Sequence, residues 1–161
     1  MAIASSGSQA VGAASSSGNT IPSGNLSASV GEILVVLAAF NNVGTTDADF
    51  SEVTSVTDVG GNTYTKIGEW TNGQGSAAAG VTVSAWMTTV TTALTTSAVT
   101  VNLANSILDR CSRVWKFTVG SGKTLVTAST VQNTQADASQ NPGSLATSSL
   151  PSVEHLHVRA V

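Results

Sequence analysis

The chain offers few residues whose types and spacing could do chemistry, and each small group points to a different kind of site. The stretch FTVGSGKTLV, Phe117 to Val126, contains Gly122-Lys123-Thr124, the closing part of a phosphate-binding loop. Such a loop needs a glycine at each end, so that successive backbone N–H groups converge on phosphate oxygens and run into a helix N-terminus. Phe117 stands where the first glycine should be, and Thr124-Leu125-Val126-Thr127 is β-prone. The expectation is a Gly-Ser-Gly hairpin that binds no nucleotide.

Asp47, Asp49 and Glu52 fall within six residues, with Asp58 soon after. Clustered oxygen ligands suit calcium, but the EF-hand spacing, its central glycine and its closing glutamate are missing, so solvated loop charges are expected. His155 and His157 are two apart on an alternating stretch and share a face, as zinc ligands can. No further ligand stands at a telling spacing, so no metal is expected there. Cys111 has no partner for a disulfide and reads as a small core thiol. Neither a Gly-x-Ser-x-Gly elbow nor a Ser-x-x-Lys pair occurs, and nothing selects two carboxylates for glycoside hydrolysis. The expectation is a protein that is not an enzyme and carries no cofactor. Among the tryptophans, Trp115 shares a face with Phe117 and reads as core. Trp86 lies on the Thr/Ser face of its strand and is the candidate for an exposed aromatic that could stack on a sugar ring.

The whole chain has 161 residues, enough for one domain with a real core, and only 9% of them are charged. Its polarity comes from 23 Ser and 22 Thr. Such a hydroxyl-rich surface fits rigid β-structure in an extracellular or virion protein. The net charge is −3, and the six basic residues are scattered from Lys66 to Arg159. Without a basic stripe, nucleic acid is not an expected partner. The N-terminus has no basic start or apolar run of the secretory kind, and the longest apolar run, Ile33 to Phe40, is too short to span a bilayer as a helix, so no membrane association is expected.

The elements that would position these residues are strands. Residues 1–24 are rich in Ser, Ala and Gly and read as a flexible or partner-ordered arm, or an edge segment, ahead of a domain over 25–161. GEILVVLAAF, Gly31 to Phe40, is apolar nearly throughout and reads as a central strand covered on both faces. VTSVTDVGGNTYTKIGEW, Val53 to Trp70, places two β-prone runs around Asp58-Val59-Gly60-Gly61-Asn62, the strongest hairpin signal in the chain. Asn72-Gly73 and Gly75 mark the next turn. In VTVSAWM, Val81, Val83, Ala85 and Met87 face one way, and Thr82, Ser84 and Trp86 the other. TTVTTALTTSA reads as an irregular connection, and VTVNL, Val99 to Leu103, as a strand. CSRVWKFTV follows as a strand with Trp115, Phe117 and Val119 on one face.

Residues 132–152 are polar, with Pro142, Gly143 and Pro151, and read as loop with room for one short edge strand. VEHLHVRAV closes the sequence by alternating Leu156, Val158 and Ala160 with His155, His157 and Arg159. Pairing with a neighbouring subunit and continuation past Val161 would each account for that ending. Seven to nine short strands with glycine turns and no helix predict an all-β, two-layer antiparallel sandwich of jelly-roll or Ig-like type.

GEILVVLAAF, VTSVTDVGGNTYTKIGEW, VSAWM and SAVTVNL, in that order, resemble a β-sandwich domain of tailed-bacteriophage structural proteins and some bacterial surface proteins. The resemblance covers residues 20–104. It rests on Gly31-Glu32-Ile33-Leu34-Val35-Val36 and on a Val-x-Asp-x-x-Gly-Asn-x-Tyr segment, which here runs from Val56 to Tyr64 with one inserted glycine. It implies a virion or surface role and no catalytic residues. The expected function is capsid decoration: a cement protein, homo-oligomeric and for instance trimeric, that binds the major capsid protein or other virion proteins on the outer shell. The alternative is a carbohydrate- or receptor-binding domain of a tail fibre, spike or adhesin.

Overall fold

The computed structural model describes residues 4–77 and 79–120, with side chains described from Ala10 onward. The described residues form ten strands and no helix: β1 (Ala4–Ala14), β2 (Gly18–Pro22), β3 (Leu26–Ala28), β4 (Ile33–Asn41), β5 (Val53–Asp58), β6 (Thr65–Asn72), β7 (Val81–Thr89), β8 (Leu94–Ser97), β9 (Val99–Ile107) and β10 (Arg110–Thr118). Every pairing is antiparallel. One layer has the order β1-β10-β4-β7-β6; the other is built from β2-β9-β5 and β3-β8. The second layer is one sheet with a break. β2 and β3 run on from one another beside β9 and β8, and at the break the Ser23 hydroxyl accepts a bond from Val99 N–H at 3.0 Å while donating to the Gly24 carbonyl.

The core lies between the layers. Leu34, Val36, Ala38 and Phe40 of β4, Trp86 of β7 and Val114 of β10 meet Ile21, Val53, Val56, Val99, Val101 and Leu103 of the smaller layer. β4 is the middle strand of the larger sheet, and Ile33 to Val36 are all buried, so the apolar run is central as expected. At the β1 margin, Gly12 packs against the Pro22 carbonyl so closely that a Cβ would collide with it. Gly24 N–H donates to the Val11 carbonyl nearby.

Several expectations change. Of the two readings of residues 1–24, the edge segment and not the flexible arm describes residues 4–22, which contain β1, an edge of the larger sheet, and β2; small side chains weaken the burial signal but do not prevent ladder pairing. The two runs around Asp58-Asn62 do not form a hairpin. β5 pairs with β9 and β6 with β7, so this turn carries the chain from one layer to the other. TTVTTALTTSA is more regular than expected, since it contains the end of β7 and all of β8, with Val90 and Leu94 buried.

β7 is inverted relative to its composition: Thr82, Ser84 and Trp86 face the core, and Val81 is exposed. The inward hydroxyls are satisfied, Thr71 against Thr82 at 2.8 Å and Trp86 Nε1 donating to Ser84 Oγ at 2.9 Å, which removes the cost of burying them. Phe117 and Trp115 lie on the opposite, outer face with Ile33, Val35, Met87 and Val119; the β10 residue in the main core is Val114. Cys111 is exposed, not buried, because it falls on that outer face beside Ala39 and Ala13. The Gly-Ser-Gly hairpin beyond Gly120, the 132–152 loop, the closing strand, His155 and His157 lie outside the described residues.

Candidate functional site

The residues singled out for chemistry sit at the seams between the layers. Glu69 is on β6 of the larger sheet and 2% exposed. Its Oε1 accepts Glu52 N–H at 2.6 Å and its Oε2 accepts Val53 N–H at 3.0 Å, so it holds the start of β5 in the other layer. Glu52, equally buried, passes the linkage on. Its carboxylate accepts the backbone N–H of Asn105 at 2.6 Å and the Asn105 side-chain amide at 2.8 Å, reaching β9. Two glutamates thus clasp three strands through bonds that stay strong because water is excluded.

Lys66 Nζ lies 2.9 Å from Asp49 Oδ1 and 3.8 Å from Glu69 Oε2, at the rim of this clasp. Partial burial works to raise the Asp49 carboxyl. The bond and charge of Lys66, with the Ser51 N–H, outweigh it and hold the group below its ordinary value of 3.8.

A second node locks the turn between β5 and β6. Asp58 Oδ1 accepts the N–H groups of Gly60 and Asn62, and its Oδ2 accepts Tyr64 Oη–H at 2.7 Å and the Asn62 amide at 3.1 Å. Asn62 Oδ1 accepts from Thr91 N–H and Thr92 N–H, and its amide donates to the Thr92 carbonyl. Gly61 supplies the positive φ of 68° that the reversal requires. Burial first, then the bond to Asp58 and its negative charge, push the Tyr64 phenol far above the usual range. The segment with the Val-x-Asp signature is therefore a corner brace.

Two further residues fix loops. The Asn42 amide donates to the carbonyls of Gly44, Gly73 and Ser76, and its Oδ1 accepts Gly80 N–H at 2.7 Å, so one buried side chain ties the loop after β4 to the β6–β7 turn. Asp47 reinforces that tie by accepting Gly73 N–H. Arg110, at the start of β10, donates to the carbonyls of Ser16, Thr20 and Ile107. Glu32 bonds Ser29 N–H at 2.7 Å and pairs with Lys116 at 3.2 Å.

The four acids considered for calcium do not converge. Asp47, Asp49, Glu52 and Asp58 serve separate partners, and among the described residues no group of three metal-ligating side chains forms. The carboxylates of Glu52 and Glu69 are engaged by backbone and amide donors, and neither residue lines the cleft of about 490 Å³ on the outer face, which is bordered by Ala13, Ala39, Phe40, Val81, Asp109 and Cys111. Trp86, the aromatic considered for sugar stacking, is 9% exposed with its indole N–H bonded internally, so it presents no platform. Among the described residues, no helix is long and apolar enough to cross a membrane.

Sequence reading missed the clasp because Glu69 has no local partner signature; its bonds reach 16 and 17 residues back. An isolated glutamate inside a β-prone run was the one available signal. No protein-family model, curated protein or solved structure matches the chain.

Proposed function

We propose that this protein is a structural component of a virion, a decoration protein that binds the outer surface of a bacteriophage shell and reinforces it. The reading begins from the resemblance of residues 20–104 to sandwich domains of tailed-phage structural proteins. The observation that carries it is where the polar side chains go. Glu32, Asp58, Asn62 and Tyr64, which carry that resemblance, all brace the sandwich internally, as do Glu52 and Glu69. What such a domain offers a partner is shape and surface. Rigid sandwiches with two broad faces suit a role in which the product is a contact, made as a symmetric oligomer on a repeating lattice. Binding the assembled shell and not its free subunits would stabilise the shell by mass action.

Sedimentation of the full chain with intact capsids of the phage that encodes it tests this reading. Saturable retention at a fixed ratio to the major capsid protein, surviving washing, is the expected result. Retention on host cells or glycans without retention on capsids would replace decoration with receptor binding. Failure to bind any of them would overturn both.

A further inference from the structure

The larger sheet ends at β6, which among the described residues pairs only with β7. A bare strand edge offers a row of N–H and C=O groups to any extended chain that reaches it. Here the row is occupied, and the occupant is not a strand. The Thr71 N–H donates to the Ala48 carbonyl at 3.1 Å, the Gly73 N–H to Asp47 Oδ1 at 3.0 Å and the Gly75 N–H to the Thr45 carbonyl at 3.2 Å. Donors at alternate positions thus meet acceptors that run backwards along residues 43–51, the order an antiparallel sixth strand would give. Further along the same edge, Lys66 Nζ holds Asp49 at 2.9 Å. Gly73 makes the close approach possible, since a Cβ there would collide with the backbone of Thr45 and Thr46.

The segment is pinned at its ends and loose between them. Asn42 and Glu52, on either side of it, are each 2% exposed and hydrogen-bonded to other elements. None of the nine residues between them is buried, Phe50 is exposed, and only Val43 packs against the core. Ser51 closes the segment at a positive φ of 53°, which a residue with a side chain rarely adopts. The ties are two backbone bonds to the edge and the exposed carboxylates of Asp47 and Asp49. Apolar burial, the term that makes opening costly, is nearly missing, so lifting this segment costs far less than separating β4 from its neighbours.

We propose that residues 43–51 are a releasable guard that keeps the β6 edge closed to a second copy of this chain. Seated, the guard takes the donors of Thr71, Gly73 and Gly75. Lifted, it leaves them to pair with the same edge of another copy, antiparallel about a two-fold axis, which satisfies both copies alike and joins two sheets into one. β6 carries one cation and one anion, Lys66 and Glu69, so two such edges meet without an excess of like charge.

Two variants of the full chain lift the guard by different means. Gly73→Ala adds a methyl group against Thr45 and Thr46 and removes no hydrogen-bonding group, whereas Asp47→Ala combined with Asp49→Ala removes the two side-chain ties. Hydrogen exchange is followed at single amides by NMR, and self-association by sedimentation equilibrium. The expected result is faster exchange at Thr71 and Gly75 in dilute samples with protection in β4 unchanged. Self-association should be at least about tenfold tighter than the parent's, since apparent affinity scales with the fraction of open edges. In the associated form Thr71 should regain its protection. Faster exchange without tighter association would overturn the proposal, as would association that leaves Thr71 exchanging freely. So would exchange at Thr71 and Gly75 that neither variant alters, or loss of β4 protection in both, which would make the segment part of the frame and not a guard.

Discussion

The two outer faces of the sandwich are built on the same alternation of residues and differ in nearly everything else. The face of the smaller layer carries Thr57, Thr100 and Asn102, with the Asn102 amide donating to Ser55 Oγ at 3.0 Å and Thr57 Oγ1 at 3.2 Å, so its polar groups form a ladder in contact with water. The face of the larger layer carries Ile33, Val35, Met87, Trp115 and Phe117, and its exposed cation, Arg113, stacks 5.6 Å from the Trp115 ring. Period-2 alternation decides which residues share a face, whereas tertiary packing decides which face is inside. That difference separates a face solvated through its own polar ladder from one whose apolar residues are buried at one end and exposed at the other.

The sharpest way to break the contrast is to place a charge on each face. Val35→Asp buries an unpaired carboxylate at a site that is 3% exposed and should cost about 4 kcal/mol of unfolding free energy. Thr57→Asp on the ladder face, read by the same urea titration, should stay within about 1 kcal/mol of the parent. Equal effects would mean that the two faces are equally solvated.

Next in size is the seam that keeps the faces in fixed relation. Glu69→Ala leaves the N–H groups of Glu52 and Val53 without acceptors in a dry site, for an expected loss of roughly 3 kcal/mol. Hydrogen exchange at those two amides should accelerate before that of β4.

Tyr64 gives a pH-dependent test of the corner between the layers. Its folded pKa is raised above the unfolded value, so the stability it contributes is fully present below pH 10 and is lost as pH rises above that value. The chain has one tyrosine, so phenolate absorbance should appear together with loss of the fold and not before it. Tyr64→Phe removes the bond to Asp58, and about 1 kcal/mol is the expected cost in chemical denaturation at neutral pH.

The smallest effect belongs to the rim. The Asp49 carboxyl is held low in the folded state, so its contribution is present above its ordinary value of 3.8 and is lost as pH falls below it. Because Asp49 is largely exposed, Asp49→Asn should shift the acid midpoint only slightly, and added salt should erase the difference.

The all-β class, the central placement of Ile33–Phe40 and the turn at Asn72-Gly73 were legible in the sequence because each rests on local pattern. The partners of the strands were not. Asp58-Val59-Gly60-Gly61-Asn62 announces a reversal, but whether β6 returns beside β5 or crosses to the other layer depends on Asn62 reaching Thr91 and Thr92, some 30 residues away. The inward hydroxyls of Thr82 and Ser84 were misread for a related reason: composition marks them as polar, and only the positions of Thr71 and the Trp86 indole show that their needs are met inside. The acids proved legible as a cluster in sequence and illegible as separate ties in space.

The placement of the basic residues has a further consequence. Within the described residues, Lys66 lies in β6, and Arg110, Arg113 and Lys116 lie in β10, an interior strand flanked by β1 and β4. A protease that cuts after lysine or arginine needs an extended segment free of its neighbours, and the bonds after Arg110, Arg113 and Lys116 lie in a strand paired on both sides, whereas the bond after Lys66 lies at an irregularity of the edge strand β6. Tryptic cleavage within β10 is therefore gated by strand separation, so its rate becomes a direct readout of how often the sandwich opens.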